Sequence, residues 1–280
     1  MSGRILCHQA AAVQKLFQQP ADHDKDAGVH RMRSASNAGL VWNRYLDLWR
    51  DDAPPALEEG TERRDALLMF AADYNARGKL NSSLAGRWLE VVHARQAHIL
   101  ARLRGGGRGE AFQSILVTRF ATGLGGPHPT EIGFTFDRSV GVPYLPGSSV
   151  KGLARAAAEL RADPLTETLF GPDRIERNGD ANTGDLVFLD AYPANLPQLE
   201  IDIINCHHPA YYAGGPPYPS ETEDPVPVYF LTVAAGTTWI FRLLSRSGEH
   251  AARGAELLRF GLKELGAGAK TAVGYGSFAV

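Results

Sequence analysis

Residues 141–155 read Gly-Val-Pro-Tyr-Leu-Pro-Gly-Ser-Ser-Val-Lys-Gly-Leu-Ala-Arg. Pro143 and Pro146 fix φ and disfavour the α region in the residues before them, so the chain arrives extended. Gly147 admits a turn with positive φ, and Ser148 or Ser149 offers an oxygen for an N-cap. A helix is predicted to follow, with Val150, Leu153, Ala154, Ala157 and Leu160 apolar at helical spacing. Its first turn presents free N–H groups beside Lys151 and Arg155, which suits a phosphate. The same residues also describe an ordinary capped helix after a tight turn.

Upstream, Phe112–Ala121 alternates and is rich in β-formers, predicting a strand with Ile115, Val117 and Phe120 on one face. Thr122–Pro129, Thr-Gly-Leu-Gly-Gly-Pro-His-Pro, is a loop whose glycines let backbone N–H groups approach a ligand. Downstream, Leu165–Gly171 closes the helical region, and Gly184–Ala191 and Glu200–Asn205 are strand candidates. Cys206–Asp224 is a long loop dense in Pro, Gly and Tyr, a length usually tied to function or an interface. Pro227–Ala234 and Thr237–Leu244 read as a hairpin joined at Ala235-Gly236. Gly254–Leu265 reads as a helix closed by Gly266 at C′. A glycine-rich turn, Gly266–Gly276, then leads to a last strand around Phe278. Two helices against an antiparallel sheet in this order predict an α+β, ferredoxin-like (RRM-like) core with insertions.

The first 110 residues read as helical. Ala10–Gln18 is a short helix candidate, and Pro20–Gly28 is a polar loop. Ala38–Arg50 carries a broad apolar stripe stopped by Asp51-Asp52 and Pro54-Pro55. Glu62–Arg77 repeats the pattern with Ala66, Leu67, Phe70, Ala71 and Tyr74. Ser82 or Ser83 caps a helix through Arg104. Its Leu84, Trp88, Val91, Val92, His98, Ile99 and Leu103 are expected mostly inward. Arg104–Glu110, Arg-Gly-Gly-Gly-Arg-Gly-Glu, is a flexible joint by composition. It divides the chain into a helical N-terminal extension, 1–110, and a core, 111–280.

Residues 1–110 hold 16 Lys/Arg against 13 Asp/Glu, and residues 111–280 hold 13 against 18. With no broad basic excess, a nucleic acid would be held by a local groove, backbone amides and a few placed cations. Cys7 and Cys206 are too few and too far apart for a disulfide framework. Consecutive Cys206, His207 and His208 have poor ligand spacing, as do His93 and His98, so no metal and no cofactor is expected. Ala-Gly-Ala-Lys-Thr, 267–271, imitates a phosphate loop, but Ala269 stands where a glycine should precede Lys270, and a helix precedes it where a strand is required. No run approaches the roughly 18 apolar residues of a membrane span, and no signal peptide opens the chain. A cytoplasmic protein is expected.

The strand, the Gly-Leu-Gly-Gly loop, the stretch at 141–155, the Leu-Asp-Ala strand, the Pro-Tyr-rich loop, Tyr-Phe-Leu-Thr-Val and Gly-Ala-Lys-Thr-Ala-Val-Gly-Tyr-Gly together resemble the RAMP superfamily of CRISPR-associated proteins. Within it they resemble the family of the sixth subunit of the type III-B (Cmr) effector complex. The resemblance covers 111–280 strongly and 34–104 loosely. It implies a RAMP core after a helical extension, and a non-catalytic RNA-binding subunit acting in antiviral defence. Such a subunit holds the guide RNA backbone near its 3′ end and packs against sister subunits. The implied partners are guide and target RNA and other Cmr subunits, with no membrane. The resemblance also implies that the glycine turn lies near the 141–155 stretch, bringing Gly268, Ala269, Lys270 and Thr271 toward Ser148, Ser149 and Lys151. Arg119, His128, Arg138 and Arg155 are the other cations that could face this groove. Tyr211, Tyr212 and Tyr218 are candidate interface anchors, because aromatic side chains in loops suit that role.

The alternative is an endoribonuclease. Related RAMP proteins cut RNA with an aspartate in the loop after the first strand, or with a histidine. The candidates are Glu131 and Asp137, with His128, His207 and His208 as acid–base groups. Against it, Glu131 replaces the expected aspartate, no second group is fixed by spacing, and Asp137–Arg138 also reads as a local turn.

Overall fold

The computed structural model describes residues 37–46, 60–78, 83–103, 108–172, 183–206, 208–212, 214–215, 218–219 and 226–280. The expected helix at 10–18, the loop at 20–28, His207 and much of the 206–224 loop lie outside them. Helix α1 (Ala38–Leu40) begins at Asn37, whose Oδ1 accepts the Leu40 N–H at 3.0 Å, and runs into a π turn at Val41–Tyr45. Helix α2 spans Gly60–Gly78 and α3 spans Leu84–Leu103. Ser83 does cap α3, its Oγ accepting the Gly86 N–H at 3.1 Å. After strand β1 (Gly109–Leu116) come α4 (Gly147–Leu160), α5 (Thr166–Phe170), β2 (Val187–Phe188) and β3 (Tyr192–Pro193). Then follow β4 (Leu199–Cys206), α6 (Pro209–Tyr212), β5 (Val226–Val233), β6 (Thr238–Leu244), α7 (Gly248–Glu264) and β7 (Phe278–Ala279).

The fold is α+β. The main sheet is antiparallel in the order β2-β6-β1-β7, with β3 also on β6. On its inner face Leu116, Trp239, Phe241 and Leu243 meet Val150, Ala154 and Ala158 of α4 and Ala251, Ala255, Leu258 and Leu262 of α7 in one buried cluster. Small residues let α7 come close to both neighbours: a Cβ at Gly254 would sit 2.6 Å from Leu186 Cδ1 beside β2, and one at Gly261 would sit 3.0 Å from Leu153 Cγ of α4. The two helices run antiparallel. Leu153 early in α4 meets Gly261 late in α7, whereas Arg253 early in α7 bonds Asp163 just beyond α4, at 2.7 Å. The first turn of α4 and the end of α7 therefore share one end of the molecule.

Three expectations fail here, each for a register reason. Strand β5 pairs with β4, from Leu199 opposite Val233 to Cys206 opposite Val226, so 227–234 and 237–244 form no hairpin. The turn at Gly236 instead carries the chain from this two-stranded ribbon into the main sheet. In β1, Leu116 points inward, so Ile115 and Val117 face outward and are half exposed, while Phe120 is buried beyond the strand's end. A one-residue shift exchanges the faces of a strand. In α3, Trp88, Val91 and His98 are exposed, and Leu89, His93, Gln96 and Leu100 take the inward side instead.

Helix α2 lies on the β4–β5 ribbon. Its Leu67, Phe70, Ala71 and Tyr74 belong to the same buried cluster as Leu199, Leu231 and Val233. The Asn75 side chain clasps the Leu199 backbone with two 2.8 Å hydrogen bonds. Helix α3 covers part of the outer sheet face through Arg242 of β6. That guanidinium donates to Gln96 Oε1 at 2.7 Å and lies 3.2 Å from His93 Nδ1. No helix among the described residues is long and apolar enough to cross a membrane.

Candidate nucleic-acid interface

The Pro143–Gly147 approach is fixed by backbone contacts with the mid-chain strand region: Leu145 and Ala191 exchange two 2.9 Å hydrogen bonds. Gly147 opens α4 directly, with Pro146 at the N-cap. Its role is close approach and not positive φ, because a Cβ there would lie 2.4 Å from the Phe188 carbonyl oxygen. Neither serine caps the helix. Asp190 does so from the neighbouring strand region, its Oδ1 accepting the Gly147 N–H at 2.6 Å. Ser148 and Ser149 are exposed, and the Ser148 N–H has no acceptor among the described residues. Lys151 stands half-buried one turn on. Arg155 points along the helix instead, bonding Glu159 at 2.8 Å and the Gly171 carbonyl at 3.1 Å.

Beside this approach lies a groove of about 880 Å³ between α1 and the 127–144 segment. Arg44, Asn43, Arg138 and Tyr144 line it. Arg44 and Arg138 are exposed and form no ion pair with a described residue. Tyr144 stacks on Tyr192 at 5.7 Å, and burial followed by the nearby carboxylates of Asp190 and Asp137 pushes its hydroxyl pKa up. Asp137 accepts the N–H groups of Ser139 and Val140 at 2.7 and 2.8 Å and the Tyr192 hydroxyl at 2.7 Å. It closes a turn, the local reading of Asp137–Arg138. His128 belongs to the packing: its ring stacks 4.1 Å from that of Trp42, Nε2 meets the Trp42 carbonyl at 3.0 Å, and Nδ1 meets Thr130 Oγ1 at 2.7 Å. Burial holds its pKa below the ordinary imidazole value, against the opposing pull of the Trp42 carbonyl. Glu131 pairs with Arg63.

The glycine turn is built differently. Gly268 (φ +88°) and Gly276 (φ +71°) lay the turn against residues 119–121. Ala269 N–H donates to Ala121 at 2.7 Å, and Gly276 N–H donates to Arg119 at 2.8 Å. Arg119 donates to Glu200 and Asp202, each at 2.7 Å, and Tyr275 donates to Asp202 at 2.7 Å. Burial pushes the Asp202 carboxyl up, but Tyr275 and Arg119 outweigh it and hold the pKa below its ordinary value. The Tyr275 hydroxyl is pushed up to about 12 by burial and by Asp202. Lys270, itself at φ +60°, lies over the Phe230 and Tyr275 rings at 5.8 and 6.0 Å. Thr271 opens a short 3₁₀ turn, Thr271–Val273. This turn shares an end of the molecule with Ser148, Ser149 and Lys151, and its own contacts run to residues 119–121 and to the β4–β5 ribbon. Tyr211, Tyr212 and Tyr218 are exposed, the first two 5.4 Å apart.

Two groove residues carry no signal in the sequence: Arg44 sits inside an apolar helical stripe, and Tyr144 stands only as part of an extended approach.

The family model of the RAMP superfamily matches residues 105–279. The chain belongs to the RAMP superfamily. This RAMP protein is 28% identical over 218 residues to the CRISPR system Cmr subunit Cmr6 of Pyrococcus furiosus, covering 57% of this chain and 64% of that one. It is 26% identical over 152 residues to Cmr6 of Saccharolobus solfataricus, covering 53% and 48%. The matches therefore span less than two thirds of either relative. A chain of the type III-B Cmr-beta complex bound to cognate target RNA shares the fold, with a TM-score of 0.55, 20% identity, and 85% and 83% of the two chains covered.

Proposed function

We propose that this RAMP protein is a non-catalytic RNA-binding subunit of a type III-B Cmr effector complex. It grips guide RNA backbone near the 3′ end, lies alongside target RNA, and packs against sister subunits in antiviral defence. The observation that carries the RNA reading is the groove beside the α4 start. There Arg44 and Arg138 form no ion pair with a described residue, and three residues after Tyr144 of the groove the chain enters α4, with exposed Ser148 and with Lys151 in its first turns. Backbone phosphates suit such a surface without any reading of sequence, which base pairing by the guide would supply. In this reading the β–α–β/β–α–β frame is a ferredoxin-like core, 1–110 is a helical extension, and the exposed tyrosines of 209–219 serve subunit contact.

The candidate nuclease carboxylates are occupied. Asp137 accepts two N–H bonds that close its own turn and a third from the Tyr192 hydroxyl, and Glu131 is engaged by Arg63. Asp137 lines the groove, but its carboxylate is already taken up by its own turn and by the Tyr192 hydroxyl. End-labelled single-stranded RNA, incubated with the purified chain with and without divalent metal, tests this. Retained but uncut RNA is expected. Metal-dependent product that vanishes in Asp137→Ala or Glu131→Ala would establish the nuclease instead.

A further inference from the structure

Strand β1 has one open edge. On one side it pairs with β6 from Gly109 to Ile115, and on the other β7 pairs with Ile115 and Leu116. The bonds at the strand's end fix which backbone groups face which side. Leu116 donates its N–H to Thr237 at 2.9 Å and accepts from Gly236 at 2.7 Å, on the β6 side. The Val117 N–H turns the other way, to the Ser277 carbonyl beside β7 at 2.8 Å. Backbone groups alternate along an antiparallel strand, so Phe112 and Ser114 bond toward β6, whereas Ala111 and Gln113 present N–H and C=O to the other side. Ile115 finds Ala279 there, but no described residue bonds the backbone of Ala111 or Gln113 on that side. Both residues are exposed.

Open edges are commonly guarded by Lys, Pro or a bulge. Gly109–Leu116, Gly-Glu-Ala-Phe-Gln-Ser-Ile-Leu, contains neither residue, and its register with β6 is unbroken. A cation stands on the inner lip of this edge. Phe241 of β6 stacks on one face of Phe112 at 5.5 Å. The Arg259 guanidinium, 4.1 Å from the Phe112 centroid, therefore takes the other face, toward the open side. Arg259 forms no ion pair with a described residue. On the outer row, Ile115 is 51% exposed.

We infer that this edge accepts an extended segment of a sister subunit as an added strand. Main-chain groups of that segment would complete the ladder at Ala111 and Gln113. Its alternate side chains would fall on the two faces, an aliphatic one outside against Ile115 and a carboxylate inside against Arg259. Alternating donors and acceptors at strand spacing match a polypeptide backbone, and RNA carries no such repeat, so the occupant is protein. This edge is separate from the groove at Arg44 and Arg138, and the inference rests on the reading of the chain as an assembly subunit.

Amide hydrogen exchange resolved to single residues tests this on the full chain, alone and assembled with the other subunits of its own Cmr complex. Alone, Ala111 and Gln113 should exchange at least about tenfold faster than Phe112 and Ser114. In the assembly, Ala111 and Gln113 should slow by about tenfold or more. Gln113→Pro removes an N–H that β6 does not use, so recovery of this variant in the assembly should fall about fivefold while β1 stays paired. Gln113→Ala keeps that N–H and should be recovered within about twofold of wild type. Arg259→Glu opposes the carboxylate and should lose about threefold. Unchanged exchange at Ala111 and Gln113 on assembly, or wild-type recovery of Gln113→Pro, would overturn the proposal and leave the subunit reading standing. Slow exchange at both residues in the isolated chain would mean that the chain covers its own edge, and would overturn it as well. Slowing brought about by guide RNA alone, or by raising the concentration of this chain alone, would assign the edge to another occupant and overturn it too. Failure of the wild-type chain to join any subunit would overturn the subunit reading from which it starts.

Discussion

The groove at Arg44 and Arg138 and the turn at Gly266–Gly276 carry similar residues in opposite circumstances. Arg119 and Lys270 in and beside the turn are engaged: one between two carboxylates, the other over two aromatic rings. Arg44 and Arg138 line a groove with no such partner among the described residues. A cation already paired must give up its partner before it can hold a phosphate, whereas an unpaired one exchanges only water and counterions. In this molecule, partners supplied by the fold separate structural from available cations.

The largest expected effect lies in the turn. Gly276→Ala places a Cβ 1.9 Å from the Ala267 carbonyl oxygen at φ +71°. A loss of about 2–4 kcal/mol is expected in urea unfolding. An unchanged midpoint would mean the turn is not clamped. Next comes the groove. Arg44→Ala/Arg138→Ala should weaken single-stranded RNA binding about tenfold, equivalent to about 1.4 kcal/mol. With Lys151 as a third phosphate contact, log affinity against log salt should slope at about −2 in the wild type and at about −0.7 in the double variant. A slope unaltered by the substitutions would remove these arginines from the RNA path.

Acidification sharpens the contrast in another way, because His93 and His128 are half-buried packing groups. His93 is held below the ordinary imidazole pKa by burial, and Arg242 adds to this against the Pro193 carbonyl. His128 is held down by burial. The unfolded chain therefore binds more protons than the folded one once pH falls below about 6.5, so stability drops as pH falls from there. Thermal midpoints at pH 7.5, 6.5 and 5.5 should be flat and then decline. A rising or level series would contradict neutral, buried rings. The smallest effect is expected for Arg119→Ala, which breaks a partly exposed bridge to Glu200 and Asp202. About 0.5–1 kcal/mol of stability should be lost, with RNA affinity within about twofold of wild type.

Much of this architecture was legible where local rules and tertiary packing agree. Leu67, Phe70, Ala71 and Tyr74 announced α2 by spacing, and Gly266 ended α7 with φ +74°. Legibility failed where a distant residue decided the outcome. Asp190 caps α4 in place of two adjacent serines, and β4 takes β5 from the expected hairpin with β6. At Ile115 and Val117, β-propensity is equally satisfied on either face, so only pairing with β6 fixes which one points out. The candidate site divides along the same line. Its residue types were readable at Arg138, Ser148 and Lys151, but that Arg119 and Lys270 are taken up by partners depended on β4 and β5.

The most direct measurement compares RNA affinity for two double variants of the full chain by fluorescence anisotropy at one salt concentration. Arg44→Ala/Arg138→Ala should lose about tenfold. Arg119→Ala/Lys270→Ala, judged at a temperature where both remain folded, should stay within about twofold of wild type. The reverse order, with the glycine-turn pair losing affinity and the groove pair keeping it, would contradict the assignment of the groove as the RNA-holding surface.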